Sequence, residues 1–548
     1  METRDKNMEE RIKKLIQDAL ENLDVEVTEI SLEHPADIKM GDYSTNVAMV
    51  CAKALKKFPN ELAEKIVAEI LRLNTDQYIE KIEVAGAGFI NFYLSRKFFA
   101  DRIEEILNQG ENVVQNNFLE GKRIMIEYTD PNPFKVFHIG HLNNNTIGES
   151  ISRIVEWSGA EVKRTCYQGD VGMHVAKAVW GFMKNKDWGT SYVFGSQAYE
   201  EDEKAKKEIQ EINKKIYLED EEIMPIYEEG KTLSLEAFED IYRKLGTKFE
   251  FYFLESEVGE FGKKTVLKFL EYGIFEKSDG AIVFHAEKYA KDLHTRVFVN
   301  REGLPTYEAK ELGLAKIKYD IYKYDKSIII TGNEINEYFK VLLYAMKQIF
   351  PELAEKTLHL SHGMLRLSSG KMSSRTGNVI TAEELIDEVK ERVKGNEAVA
   401  IGAIKYSILR SKKGGDVVYN VEESISTVGD SGPYLQYSYA RANSVIEKAK
   451  KEDILPDPDI LITEIFEVEK LLYRFSEVIL RSAKEYEPHY IANYLIELAR
   501  AFNSFYGNTV IVNKEDPTSA YKVALSFAFI SVMKKGLYLL GIEAPEKM

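Results

Sequence analysis

Apolar residues recur along this chain with two different periods, and the places where one gives way to the other mark out its elements. Near the start, the apolar positions of Arg11-Ile12-Lys13-Lys14-Leu15-Ile16, and again those of residues 61–71, fall three and four apart. That is the spacing of a helix with one face turned to a core. The period then drops to two. Residues 78–84 and 88–94 alternate apolar with polar positions and predict two strands. Between them Ala85-Gly86-Ala87-Gly88 reads as a turn, because no helix follows to make it a dinucleotide-binding loop.

A polar linker over 108–122 leads into alternating elements. The pattern predicts a strand over 123–128, a helix over 142–157 stopped at Gly159, and a second strand over 161–167. This β-α-β order points to a parallel, doubly wound sheet of the Rossmann type. Residues 190–280 are rich in Glu and Lys and helical in pattern, as an insertion would be. Strands resume at 281–285, 296–300, 327–331 and 358–361, and from about 396 helical patterns run to the end. The expected fold class is therefore α/β multidomain. A small α+β domain spans 1–110, the doubly wound parallel-sheet domain spans 120–395, and an α-helical domain spans 396–548.

At 548 residues with 44% hydrophobic and 30% charged positions, the chain reads as an ordinary globular protein of several domains. A net charge of −16 argues against a basic nucleic-acid coat. It leaves room for RNA contacts at local patches such as Lys163-Arg164 and Arg410-Ser411-Lys412-Lys413, although such runs are more often solvated faces. The two cysteines, Cys51 and Cys166, lie far apart, which speaks against a disulfide framework or a structural zinc site and fits a reducing compartment. The charged N-terminus does not read as a signal peptide, and the apolar run 523–533 is too short for a bilayer. A cytoplasmic protein with no membrane partner is expected.

Chemistry concentrates in two motifs. His138-Ile139-Gly140-His141 sits one turn beyond the first strand of the doubly wound domain, where a helix begins. A helix start offers free N–H groups and a positive dipole end to a phosphate. A glycine lets a ligand approach the backbone, and two imidazoles add donors without a permanent charge. The second motif, Lys371-Met372-Ser373-Ser374-Arg375, lies in a glycine-flanked basic loop. Lys371 can set a point charge on a polyphosphate while the serine hydroxyls add hydrogen bonds. Taken alone, this second stretch reads more simply as an ordinary surface loop.

The pair of motifs, beyond a predicted parallel sheet, resembles the class I aminoacyl-tRNA synthetases. The resemblance implies that ATP lies between them, held by His138, Gly140, His141, Lys371, Met372, Ser373 and Ser374, with His138, His141 and Lys371 catalytic. Mg2+ would accompany the ATP, and the sequence shows no dedicated metal site. Longer segments, at 41–46, 88–92, 432–441 and 540–548, are similar to the arginyl-tRNA synthetase family over nearly the whole chain. That resemblance implies ATP-dependent ligation of L-arginine to tRNA(Arg) through an arginyl-adenylate, with release of AMP and pyrophosphate. A monomer is expected.

By the same resemblance, Glu127 and Asn132 hold the α-amino and carboxylate end of arginine, and Tyr307 and Glu311 clamp its side chain. A planar guanidinium is well matched to carboxylates, and a spacing of four lets both clamp residues share one helix face. Three positions depart from the family pattern: Glu311 where Asp is usual, Ile335 where Gln is usual, and Asn143 where Arg often stands. For tRNA, Phe89 and Asn91 either form an aromatic-x-Asn pair at the tRNA elbow or sit in the small domain's core and in a turn, and Tyr434 and Tyr437 either stack on anticodon bases or pack the helices. Two other readings compete: an enzyme making a small-molecule adenylate without RNA, and a tRNA-binding relative without catalysis. The N- and C-terminal modules argue against the first, and the intact His138, His141, Lys371 and Glu127 argue against the second.

Overall fold

The computed structural model describes residues 8–27, 29–368, 380–460 and 462–548. The chain divides into two compact units. One takes residues up to Val114 together with Ser438–Ser476 and Glu497–Met533, and the other takes Gln115–Tyr437, Glu477–Ile496 and Lys534–Met548.

The second unit is built on a five-stranded sheet in the order Thr357–His362, Lys326–Gly332, Arg123–Glu127, Glu161–Gln168, Phe251–Leu254. Every neighbouring pair is parallel. The chain starts at the middle strand, runs outward over two strands to one side, then returns to the other side. The crevice at the carboxyl end of Arg123–Glu127 is thus the topological switch point, where ligands bind in open α/β sheets. Residues 124–128 are buried without a break, as expected of a strand covered on both faces. One face carries the helix Ile139–Trp157, where Tyr128 donates to Glu149 at 2.5 Å; the other carries Tyr307–Ile321, where Lys318 meets Glu127 at 2.8 Å. Helix and strand approach closely: a Cβ on Gly148 would stand 2.2 Å from the Tyr128 ring.

The region expected as a helical insertion, 190–280, holds Trp188–Glu201, Glu203–Tyr217, Met224–Leu245 and Glu255–Glu271, and the first three pack with Met173–Asn185 around Val175, Val179, Ile209, Ile212 and Tyr227. It also holds a strand the pattern did not predict, Phe251–Leu254, which completes the parallel sheet. Its four residues are too few to register a period. The predicted strands near 281 and 296 do not join that sheet. With Glu276–Ser278 they form a separate antiparallel sheet, closed at Asp279-Gly280, where φ is +49° and +80°. An Asp-Gly pair in the left-handed region is the usual tight hairpin connection.

In the first unit, the antiparallel sheet Tyr43–Thr45, Phe89–Leu94, Ile79–Ala85 packs with the helices Met8–Asn22, Val47–Leu55, Pro59–Leu73 and Arg96–Gln109. Tyr473 joins their core, and Arg96 is ion-paired with the fully enclosed Glu469. The remaining C-terminal chain is mainly helical, from Glu397–Leu409 to Ser519–Leu539, and contains a short strand, Val417–Tyr419, paired in parallel with Leu365–Leu367. Among the described residues, no helix is long and apolar enough to cross a membrane.

Candidate active site

The turn leaving the middle strand is strained. Thr129, Asp130 and Phe134 have φ of +82°, +47° and +68°, values that non-glycine residues adopt only when the surroundings enforce them. The enforcement is visible. Asn144 accepts the Thr129 N–H at 2.8 Å and donates to Ile330 O at 2.8 Å, and Asn145 donates to the Thr129 hydroxyl at 3.0 Å. Asp130 accepts from the Tyr167 N–H at 2.7 Å, and Asn132 Oδ1 accepts from the Gly169 N–H at 3.0 Å. Phe134 packs between Trp188 and Tyr227, with its N–H donating to Ser234 at 2.9 Å. Three asparagines in succession are poor helix formers and were the available signal that this helix face binds backbone across the sheet.

His138 caps the helix Ile139–Trp157. Its Nδ1 accepts the Gly140 N–H at 3.1 Å, while its own N–H donates to His141 Nδ1 at 3.2 Å, and the rings stack 3.7 Å apart. The free backbone donors expected at this helix start are therefore spent. The Ile139 N–H donates to Ile380 O at 3.2 Å, and those of His141 and Leu142 to His138 O at 2.9 and 3.2 Å. Gly140 also serves another purpose than the one expected: a Cβ there would meet the His138 ring at 2.8–2.9 Å. Because both Nδ1 atoms accept, each neutral ring carries its proton on Nε2. Burial holds His138 down at about 4, with Lys135 adding to the effect, and burial pushes His141 well below its usual value. Two Nε2–H donors thus lie side by side at the switch point, both residues part-exposed.

Beside them lies an acidic pocket. Glu127 is 1% exposed and is paired with Lys318, itself 1% exposed. Glu311 is buried, and burial followed by the charge of Glu127 pushes its carboxyl well above the normal range. Asp130 is raised well above its range by the same two causes in the same order. Tyr307 leaves 40% of its surface open, yet its hydroxyl is closely surrounded, and burial and then Glu311 raise it. Its ring lies between Tyr167, at 6.3 Å, and Tyr338, at 5.0 Å. Burial alone would lower Lys318, but its pairing with Glu127 leaves it raised. One cation stands among three carboxyl groups, two of them pushed toward their neutral form, so a further cation would favour their ionisation.

The structure therefore gathers Glu127, Asn132, His138, Gly140, His141, Tyr307 and Glu311 in one unit at the end of one sheet. Lys371, Met372, Ser373 and Ser374 lie outside the described residues. The chain resumes next to the histidines: Ala382 donates to Phe137 O at 2.8 Å, and His138 and Thr381 form an antiparallel bridge. Ile335 packs against an apolar cluster, and Asn143, wholly buried, donates to Gly363 O at 3.0 Å. In the other unit Phe89 is 43% exposed, but Asn91 is only 3% exposed. The strand pairing covers Asn91 and gives its carbonyl the Ser44 hydroxyl at 2.7 Å. Tyr437 is exposed and Tyr434 part-buried. Among the described residues no cluster of three or more His, Cys, Asp or Glu side chains could hold a metal ion. Lys318, Tyr167 and Tyr338 went unrecognised in the sequence. Lys318 shares a helix face with Tyr307 and Glu311 through the spacings of four and seven, and that was its signal.

A doubly wound sheet with paired imidazoles at its switch point is the catalytic framework of a class I aminoacyl-tRNA synthetase, and the family model described as tRNA synthetases class I (R), catalytic domain, matches residues 102–421. The model for the arginyl tRNA synthetase N terminal domain matches residues 10–94, and that for the DALR anticodon binding domain matches 435–548. The chain is 31% identical to the arginine–tRNA ligase of Borrelia hermsii, over 99% of each chain, and 30% identical to that of Clostridium perfringens, over 98% of this chain and 100% of the other. Its fold is similar to that of Thermus thermophilus arginyl-tRNA synthetase, with a TM-score of 0.81 at 24% identity over 98% of this chain and 100% of that one. It is also similar to the Plasmodium falciparum enzyme, with a TM-score of 0.79 at 20% identity over 98% and 99%. The chain belongs to the arginyl-tRNA synthetase family, whose reaction is the ATP-dependent ligation of arginine to tRNA.

Proposed function

We propose that this chain charges tRNA(Arg) through an arginyl-adenylate formed at the switch point of the parallel sheet. The observation that carries the reading is the junction of two neutral, Nε2-protonated imidazoles with a buried cluster of three carboxyl groups, Glu127, Asp130 and Glu311, around the single cation Lys318. Arginine enters guanidinium first, toward Glu311 and Tyr307. Asn132 has committed its carbonyl to Gly169, so its NH2 group remains to donate to the substrate carboxylate. Glu127 takes the α-amino group with the oxygen not held by Lys318. The carboxylate then attacks the α-phosphate of ATP, forming the P–O bond of the adenylate as pyrophosphate leaves. Charge gathers on the non-bridging oxygens, where the donors of His138 and His141 meet it without reorganising. Lys371, Met372, Ser373 and Ser374 hold the polyphosphate from the second motif, and Gly140 leaves His138 free to orient. Mg2+ arrives with ATP as part of that substrate.

Residues 1–110, 120–395 and 396–548 divide the remaining work as elbow-contacting, catalytic and anticodon-contacting segments. Phe89 offers a stacking face to the elbow, with Asn91 bracing the strand beneath it, and Tyr434 and Tyr437 meet anticodon bases. The enzyme acts as a monomer in the cytoplasm, consistent with its two unpaired, buried cysteines. ATP–pyrophosphate exchange tests the reading: arginine supports exchange in the presence of tRNA(Arg), and no other amino acid does. Exchange driven by a different amino acid, or charging by none, refutes it.

A further inference from the structure

Two hydroxyls in the pocket are buried and unpaired. Tyr167 is 3% exposed and Tyr338 5%, and neither hydroxyl oxygen has a hydrogen-bond partner among the described residues. A buried phenol left unpaired costs roughly 1–3 kcal/mol, and such groups are rare unless something else pairs with them. Tyr167 stands on the sheet, at the end of Glu161–Gln168, on the same face as Glu127 through the Glu127–Thr165 register. Tyr338 stands on the helix Asn336–Ile349. They reach the two sides of the open Tyr307 ring, and Glu311 acts electrostatically on both hydroxyls. Ile335, one turn before Tyr338, faces an apolar cluster and offers no polar atom to this pocket. A guanidinium carries five N–H donors and no acceptor, more than one carboxylate can receive.

We infer that Tyr167 and Tyr338 are substrate-contacting specificity residues, each accepting a guanidinium N–H so that Glu311 and two phenols together receive the side-chain end of arginine. This rests on the assignment of the arginine pocket proposed above. In free enzyme the phenols wait unpaired. With arginine bound, each oxygen accepts one N–H. Lysine carries its three donors on a compact, non-planar head that does not match the planar fork which Glu311 and the two phenols receive, so the same hydroxyls favour arginine over lysine.

The test is Tyr167→Phe and Tyr338→Phe, each in the full-length enzyme assayed with tRNA(Arg). Loss of a hydrogen bond to a charged group raises the arginine KM roughly 10- to 100-fold, with kcat and the ATP KM little changed. The thermal midpoint stays level or rises, because each substitution removes an unpaired buried polar group and nothing else. An unchanged arginine KM in both variants overturns the inference. So does a lowered thermal midpoint, which would mean that the hydroxyls serve the fold. Glu311→Gln separates this inference from its parent: if it too leaves the arginine KM unchanged, arginine does not bind here and both fail. If Glu311→Gln raises KM and the tyrosine variants do not, only the role of the hydroxyls fails.

Discussion

Removing the one cation beneath the acidic pocket is the sharpest perturbation this structure offers. Lys318→Met keeps the length and apolar volume of the stem and deletes the charge. The Lys318–Glu127 pair is 2.8 Å long with side-chain exposures of 1% and 2%, so the attraction at an effective dielectric of about 20 is of order 6 kcal/mol. Desolvation of both ions works against it, and the measured cost of breaking a buried pair from one side is about 3–5 kcal/mol. The variant leaves Glu127 beside Asp130 and Glu311 with no compensating charge, so the protein must take up protons or loosen. Thermal and urea denaturation of the whole chain, read at matched pH, gives the loss. Adding Glu127→Gln to Lys318→Met removes the orphaned charge and restores a large part of it. Saturating arginine restores stability more in Lys318→Met than in the parent protein, because its α-ammonium group brings positive charge to Glu127 and it binds only the folded state. A loss below about 1 kcal/mol, the level of an exposed pair, or a double variant no better than the single one, would refute the argument.

The histidine pair gives two further expected outcomes. His138 is held at about 4 in the folded protein against 6.5 for the free side chain, so on acidification the unfolded chain takes the proton first. Its contribution to stability is complete above pH 6.5 and is lost as pH falls toward 4; an NMR titration of the ring that centred near 6.5 would contradict the buried, Nδ1-accepting geometry. Gly140→Ala forces a Cβ to within 2.8–2.9 Å of the His138 imidazole and must turn that ring. Adenylate formation falls roughly 10²–10³-fold, the scale of losing one preorganised donor, while circular dichroism and arginine binding stay near normal; exchange rates within twofold of the parent would mean that the ring does not touch the phosphates.

Much of the site was legible in one dimension because it is local. His138 and His141 lie three residues apart at a strand-to-helix junction, and Tyr307 and Glu311 lie four apart on one helix, so spacing alone brings each pair together. Asn91 shows the limit of such reasoning: the motif marks the residue, and only its pairing with the neighbouring strand Tyr43–Thr45 shows that it is buried. The helix start behaved likewise. Its N–H groups are free in any isolated helix, but here Ile380, more than two hundred positions away in the chain, takes one of them, and the imidazoles close over another.

The sequence by itself determined the succession of helices and strands around the first motif, and the family. Periodicity says that a face is buried, and motif spacing says which groups sit on it. Neither says what lies across from that face. Only the tertiary structure decided that Phe251–Leu254 completes the sheet while 276–299 leaves it, and that Lys318 neutralises Glu127 from the opposite helix. It alone decided which nitrogen of each histidine carries the proton, and that Tyr167 and Tyr338 flank Tyr307 with unpaired hydroxyls. These are pairings between distant segments. Their energies come from desolvation and hydrogen-bond geometry, which no local pattern of residues encodes.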